Sequence, residues 1–181
     1  MNYKENEETP KNHPRNFRYN KTLNFLDKNL KNNSTVLDLG GANILAQKMK
    51  SLGHAVQNTR PDQNLDDDFD IVKEDFDCVT AFEIFEHLLA PYNLLKAIKA
   101  PNLIASIPLK LWFANAYWNK NDEWDCHYHE FEPKQFDLLL RRTGWKIECS
   151  EKWKVPLSKI GVRPLLRHYT NRYYIVSCVR G

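Results

Sequence analysis

Short apolar runs alternate with helix-spaced repeats through the middle of the chain, and this alternation constrains the fold more than any other feature. Residues 35–39 (Thr-Val-Leu-Asp-Leu) read as a strand. Ile44, Leu45, Met49 and Leu52 then recur at helical spacing, and Gly53 stands where a helix end favours a residue tolerant of positive φ. A second strand covers 55–59 and a third, largely apolar, covers 78–82. A helix opened by Pro91 runs to residue 100, and a further apolar strand spans 103–107. Strands separated by helices pair in parallel through crossovers.

The flanks extend this pattern. Phe17, Leu23, Leu26 and Leu30 lie near one stripe of a helix over 17–31, closed by Asn32-Asn33-Ser34. Pro133 opens a helix with Phe136, Leu139 and Leu140 inward, and Thr143-Gly144 ends it before a strand at 145–149. The last strand is 173–179. No helical pattern is read between these two, so they are expected to form an antiparallel edge pair on the parallel sheet. The connection 62–77 is awkward, because a helix plus a strand barely fits there. With 181 residues the chain has room for one core. The expected organisation is a flexible polar tail, 1–16, followed by a single domain, 17–181.

The formal charge of +3 hides an asymmetry. Residues 62–86 hold ten acids and one base, whereas seven Lys or Arg and no acid follow Glu151. Such a basic end steers anions, but a solvated basic surface is the commoner outcome, so nucleic acid is the lesser expectation. The polar opening residues do not read as a secretion signal, and the longest apolar stretch, 104–118, is broken by Pro108 and Lys110 and is too short to span a membrane. Four scattered cysteines, three of them in strand-like runs, fit a reduced, cytoplasmic setting. Cys126, His127 and His129 lack a second ligand pair at zinc spacing, so no metal is expected.

The chemistry concentrates where the first strand runs through Asp38-Leu39-Gly40-Gly41-Ala42-Asn43 into a helix. Such turns aim backbone N–H groups and a helix N-terminus at a ligand crevice, and glycine lets the ligand approach the main chain. The later glycines of a dinucleotide fingerprint are missing, which disfavours an NAD enzyme.

This turn resembles the first motif of class I S-adenosylmethionine-dependent methyltransferases, with Asp38, Gly40 and Ala42 matching approximately. The block Phe76-Asp77-Cys78-Val79-Thr80-Ala81-Phe82-Glu83-Ile84-Phe85-Glu86-His87-Leu88 is similar to that family's aspartate-led strand and following Glu-x-x-Glu-His-Leu. His127-Tyr128-His129-Glu130-Phe131-Glu132-Pro133 resembles the His-x-x-x-Phe-x-Pro entry to its last helix. The resemblance covers residues 17–181 in order. It implies a doubly wound, Rossmann-like three-layer α/β sandwich on a mixed seven-stranded sheet with an antiparallel C-terminal strand.

It further implies S-adenosylmethionine as cofactor, held by Tyr19, Asp38, Gly40, Gly41, Ala42, Asp62, Phe82 and Glu83. Asp38 would orient the turn and attract the cationic end. Arg60 occupies the place of the acid that takes the ribose hydroxyls, which moves that role to Asp62. Methyl transfer is an in-line displacement dominated by alignment. His127, His129 and Glu86 are the candidate bases if the acceptor loses a proton, His127 first. The aromatic insert 108–125 would roof a pocket for a small acceptor, although packed core or a dimer contact explains such residues more often. Departures at Ala42, Ile44 and Arg60 keep open an inactive binding or scaffold protein on this fold, and the basic end an RNA methyltransferase. A monomer or a homodimer is expected.

Overall fold

Alternate residues of a strand point to opposite sides of the sheet, and here both sides are apolar, so each needs a helical layer over it. The computed structural model, which describes residues 14–156 and 161–181, has that arrangement. β1 (Thr35–Asp38), β2 (Ala55–Asn58), β3 (Cys78–Phe82) and β4 (Asn102–Pro108) pair in parallel. β5 (Trp145–Trp153) and β6 (Tyr173–Arg180) pair antiparallel, and β6 is also antiparallel to β4. The sheet order is β2-β1-β3-β4-β6-β5.

α1 (Pro14–Asn29) and α2 (Ile44–Ser51) cover one face. Phe25 and Leu26 from the first, with Ala46 and Met49 from the second, pack on Val36, Cys78, Ile104 and Ile175. On the other face α3 (Pro91–Ala97) and α4 (Pro133–Arg142) bring Leu94, Leu95, Phe136 and Leu140 onto Leu37, Val79, Leu103 and Val176. The neighbours Val36 and Leu37 thus belong to different cores, which makes the three layers a direct result of strand alternation.

The sheet departs from expectation in having six strands among the described residues, not seven. Residues 62–77 supply no strand beyond β2. Asn64 instead organises a turn, its side chain accepting from the N–H of Asp66 and its carbonyl from those of Asp67 and Asp68. A short 3-10 helix follows at Asp70–Lys73, with Val72 buried. Asx side chains that capture local N–H groups compete with strand pairing, and this stretch has few β-branched residues to oppose them.

Other elements differ too: α3 stops at Ala97 rather than residue 100, and β5 runs on from 149 to Trp153. A helix, α5 (Val162–Tyr169), lies between β5 and β6 where no helical pattern was expected. None of its residues is buried, so it adds nothing to the core, although Val162, Leu165, Leu166 and Tyr169 keep helical spacing. α1 starts at Pro14 rather than residue 17. Residues 1–13 of the expected tail lie outside the described residues.

Candidate active site

The chain leaves β1 outward to β2 and then returns to β3 on the other side of β1, so strand order reverses between β1 and β3. At such a switch point the loops leaving the two carboxyl ends diverge and open a crevice. The turn after β1 is tied down on its strand side: the Leu39 N–H donates to the Thr80 carbonyl at 2.8 Å, and the Gly40 N–H to that of Asp38 at 2.9 Å. Asn43 caps α2 through its Oδ1, which accepts from the Ala46 N–H at 3.0 Å.

The fold does not require glycine in this turn. Neither Gly40 nor Gly41 has positive φ. A Cβ at Gly40 would meet only Ile84 Cδ1, at 3.7 Å, and one at Gly41 the ring of Pro61 at 3.4 Å. Both glycines border an open cavity of about 540 Å³ that is also lined by Asp62, Leu65, Glu83, His87 and Trp124. That volume suits a ligand of nucleoside size.

Asp38 is buried and lines neither this cavity nor the smaller one beside it. Its carboxylate accepts from the Thr80 hydroxyl at 2.7 Å and from Asn58 Nδ2 at 3.0 Å, and Asn58 also donates to the Gly40 carbonyl at 3.1 Å. Burial pushes the Asp38 carboxyl up to about 6, against the pull of these two hydrogen bonds. Asp38 therefore braces the turn from behind. Ala42 lines neither cavity. Asp62 stands exposed on the rim of the larger one, 3.8 Å from Arg60, whose guanidinium also reaches Asp68 at 3.0 Å.

Glu83 sits at the end of β3 with φ +58, a left-handed conformation costly for a residue with a Cβ. Its N–H is held by the Ser106 carbonyl at 2.8 Å. Its carboxylate pairs with Arg18 of α1. Burial pushes Glu83 up while Arg18 and Arg172 pull it down; burial would lower Arg18, but Glu83 raises it on balance. A second hollow of about 60 Å³ lies between Arg18, Tyr19, Asn43, Phe82, Glu83 and Ser106. Glu83 lines both hollows, so Tyr19 and Phe82 lie on one side of it and Asp62 on the other.

The 3-10 helix Phe85–His87 continues the crevice wall, and the loop after β4 folds back onto it. The N–H groups of Tyr128 and His129 donate to the Glu86 carbonyl at 2.8 and 3.2 Å, and that of His127 to Tyr117 at 3.0 Å. His127 thereby comes against His87, ring centroids 4.9 Å apart and edge to face. His87 Nδ1 lies 3.0 Å from the Cys126 carbonyl and His127 Nδ1 3.1 Å from Glu130 Oε1. Glu86 is fully buried, and neither of its carboxylate oxygens has a hydrogen-bond partner among the described residues. Burial, then the nearby Glu83, pushes the Glu86 carboxyl well up; burial lowers both histidines, and His127 lowers His87 further.

Of the three candidate bases, Glu86 and His127 are brought together and His129 is not. His129 stacks on Phe131 with centroids 5.4 Å apart and lines a separate hollow with Leu89, Tyr92 and Leu139. Nor does Cys126 join the histidines; its thiol, fully buried, points to the carbonyls of Asn119 and Asp122. Sequence reading left out His87, whose position beside Glu86 in Glu-x-x-Glu-His was the available signal, and Arg18, one residue before Tyr19. Of the insert's aromatic residues only Trp124 lines the larger cavity, beside Asp122 and Asp125; Trp112 and Trp118 are exposed and line neither hollow. No described helix is long and apolar enough to cross a membrane.

No protein-family model matches the chain, and no curated protein matches it. Solved structures do. The 1,6-didemethyltoxoflavin-N1-methyltransferase of Burkholderia thailandensis, bound to 1,6-didemethyltoxoflavin and S-adenosylhomocysteine, is similar at TM-score 0.65 and 18% identity, over 90% of this chain and 77% of that one. An S-adenosylmethionine-dependent methyltransferase from Mesorhizobium loti matches at TM-score 0.63 and 15% identity, over 87% and 96%. The [4+2]-cyclase SpnF matches at 0.56 and 12%, over 90% and 81%. The chain therefore has the fold of the class I S-adenosylmethionine-dependent methyltransferases.

Proposed function

We propose that this protein transfers a methyl group from S-adenosylmethionine to a small acceptor. The observation that carries this reading is the Gly40-Gly41 turn, where two glycines the fold does not need border an open cavity at the switch point. A side chain on either would project where a ligand passes the main chain. The relatives of this fold bind the cofactor's product form in at least one case, with S-adenosylhomocysteine in the Burkholderia enzyme.

The residues fit the cofactor's parts. Asp62 on the rim of the larger hollow offers a carboxylate to the ribose hydroxyls, with Leu65 as apolar wall beside it. Arg18 and Glu83, ion-paired with each other, both line the smaller hollow, and opening that pair gives the zwitterionic amino-acid end a cation and an anion to meet. When bound, the sulfonium supplies an activated methyl carbon. The chain's part is to align an acceptor against it and exclude water, which contributes up to about 7–11 kcal/mol of the barrier. His127, its Nδ1 on Glu130 and its ring against His87, lines neither hollow, so no proton transfer is routed through it. His129, in its separate hollow, has no part in this scheme.

A second reading is a protein on the same fold that transfers no methyl group, as the similarity to a [4+2]-cyclase illustrates. Calorimetry with S-adenosylmethionine and S-adenosylhomocysteine tests the cofactor directly. Binding is expected in the micromolar range, and no heat with about 1 mM of either would end the methyl-transfer reading.

A further inference from the structure

Glu86, His87 and His127 come from two separate stretches of chain, yet their donor atoms all lie within 4.8 Å of one another. Glu86 Oε1 is 3.9 Å from His87 Nε2. From these positions we infer that the three side chains form a site for a divalent transition-metal ion in the wall of the larger cavity.

Three observations converge on this. First, the Glu86 carboxyl is fully buried with both oxygens unpartnered, although a buried carboxyl group ordinarily finds a donor or a cation. Second, each histidine has its Nδ1 engaged, His87 with the Cys126 carbonyl and His127 with Glu130. Those acceptors fix the proton on Nδ1 and leave Nε2 with a free lone pair, the tautomer a metal ligand needs; carboxylate-to-histidine support is the usual outer shell of such sites. Third, the loop bearing His127 is held onto the Glu86 segment by backbone hydrogen bonds from Tyr128 and His129, so the juxtaposition does not depend on side chains alone.

Two imidazoles and one carboxylate suit zinc, iron, manganese or cobalt better than magnesium or calcium, which prefer oxygen ligands. Such ions hold ligands at about 2.0–2.2 Å, so the donors close by about 1 Å around the ion. Three protein ligands leave coordination positions open, and His87 also lines the cavity. An oxygen of a ligand in that cavity, such as a hydroxyl or enol, would complete the shell. The metal site stands apart from the methyl-transfer reading; only the identity of that oxygen donor as the methyl acceptor rests on it.

The test uses untagged full-length chain treated with chelator, titrated with Co(II) without any S-adenosyl compound, and followed by visible absorption and calorimetry. One Co(II) per chain is expected, with ligand-field bands of a nitrogen- and oxygen-coordinated ion, displaced by Zn(II). His87→Ala and His127→Ala should each weaken binding at least about tenfold, and Glu130→Gln about 10- to 100-fold with unchanged melting temperature. No binding at about 1 mM Co(II), or alanine variants that bind Co(II) as tightly as the native chain, overturns the site. Co(II) binding without S-adenosylhomocysteine binding would leave it standing and sink only the methyl-transfer reading; the reverse result does the opposite.

Discussion

Thr80 donates its hydroxyl hydrogen to Asp38 across the β1–β3 pair at 2.7 Å, with both residues buried. The bond joins the two strands where their order reverses. Asn58 completes the brace by donating to both Asp38 and the Gly40 carbonyl, so three strands fix the position of the glycine turn. Asp38, expected both to orient the turn and to attract a cation, lines neither hollow and holds the turn through the side chains of Thr80 and Asn58.

This burial gives Asp38 a signature in the pH dependence of stability. The folded chain holds the Asp38 proton up to about pH 6, whereas the unfolded chain releases it near the ordinary value of 3.8. Between those values the folded state binds more protons, so stability falls as pH rises. The contribution is fully present below the unfolded value and gone above about pH 6, a loss of about 3 kcal/mol at most. Denaturant unfolding of the native protein and Asp38→Asn from pH 4 to 7 should show curves that converge or diverge by that amount; parallel curves would contradict the shift.

Gly40→Val should remove cofactor binding while sparing the fold. A Cβ there meets Ile84 at an ordinary contact distance, and the backbone is not left-handed, so the expected stability change is within about 1 kcal/mol. S-adenosylhomocysteine should give no calorimetric signal with the variant at about 1 mM, while its circular dichroism matches the native chain. Retained affinity would move the site elsewhere.

The parts legible in the sequence were those governed by a local period. β1, β3 and β4 are short runs with an apolar centre, and α4 carries its Pro start and its Phe136 and Leu140 stripe openly. The missing seventh strand was foreshadowed by the shortness of 62–77, but Asx turns rather than length alone settle its path. The pairing of His127 with His87 was not readable, because it depends on a loop folding back to hydrogen-bond Glu86, a contact between residues about forty apart with no periodic trace. Arg18 escaped for the same reason: its partner Glu83 lies on another layer of the sandwich.

Asp62→Ala tests the ribose contact. Asp62 is exposed and its ion pair with Arg60 spans 3.8 Å, so its loss should change stability by no more than about 0.5 kcal/mol. Two charge-assisted hydrogen bonds to ribose hydroxyls would disappear, and affinity for S-adenosylhomocysteine should fall about 10- to 100-fold. An unchanged dissociation constant would assign the ribose to another residue.

Arg18 and Glu83 separate stability from binding. Arg18→Met leaves a largely buried carboxylate with only the more distant Arg172 to offset it, at a cost of about 1–3 kcal/mol. Adding Glu83→Gln removes the stranded charge, so the double variant should recover at least half of that loss in denaturant unfolding. Binding should not recover with it. If the pair meets the zwitterionic end of the cofactor, the double variant lacks both complementary charges and binds S-adenosylhomocysteine no better than Arg18→Met alone. Recovery of affinity together with stability would make the pair a purely structural link between α1 and β3, and would leave the smaller hollow without a ligand.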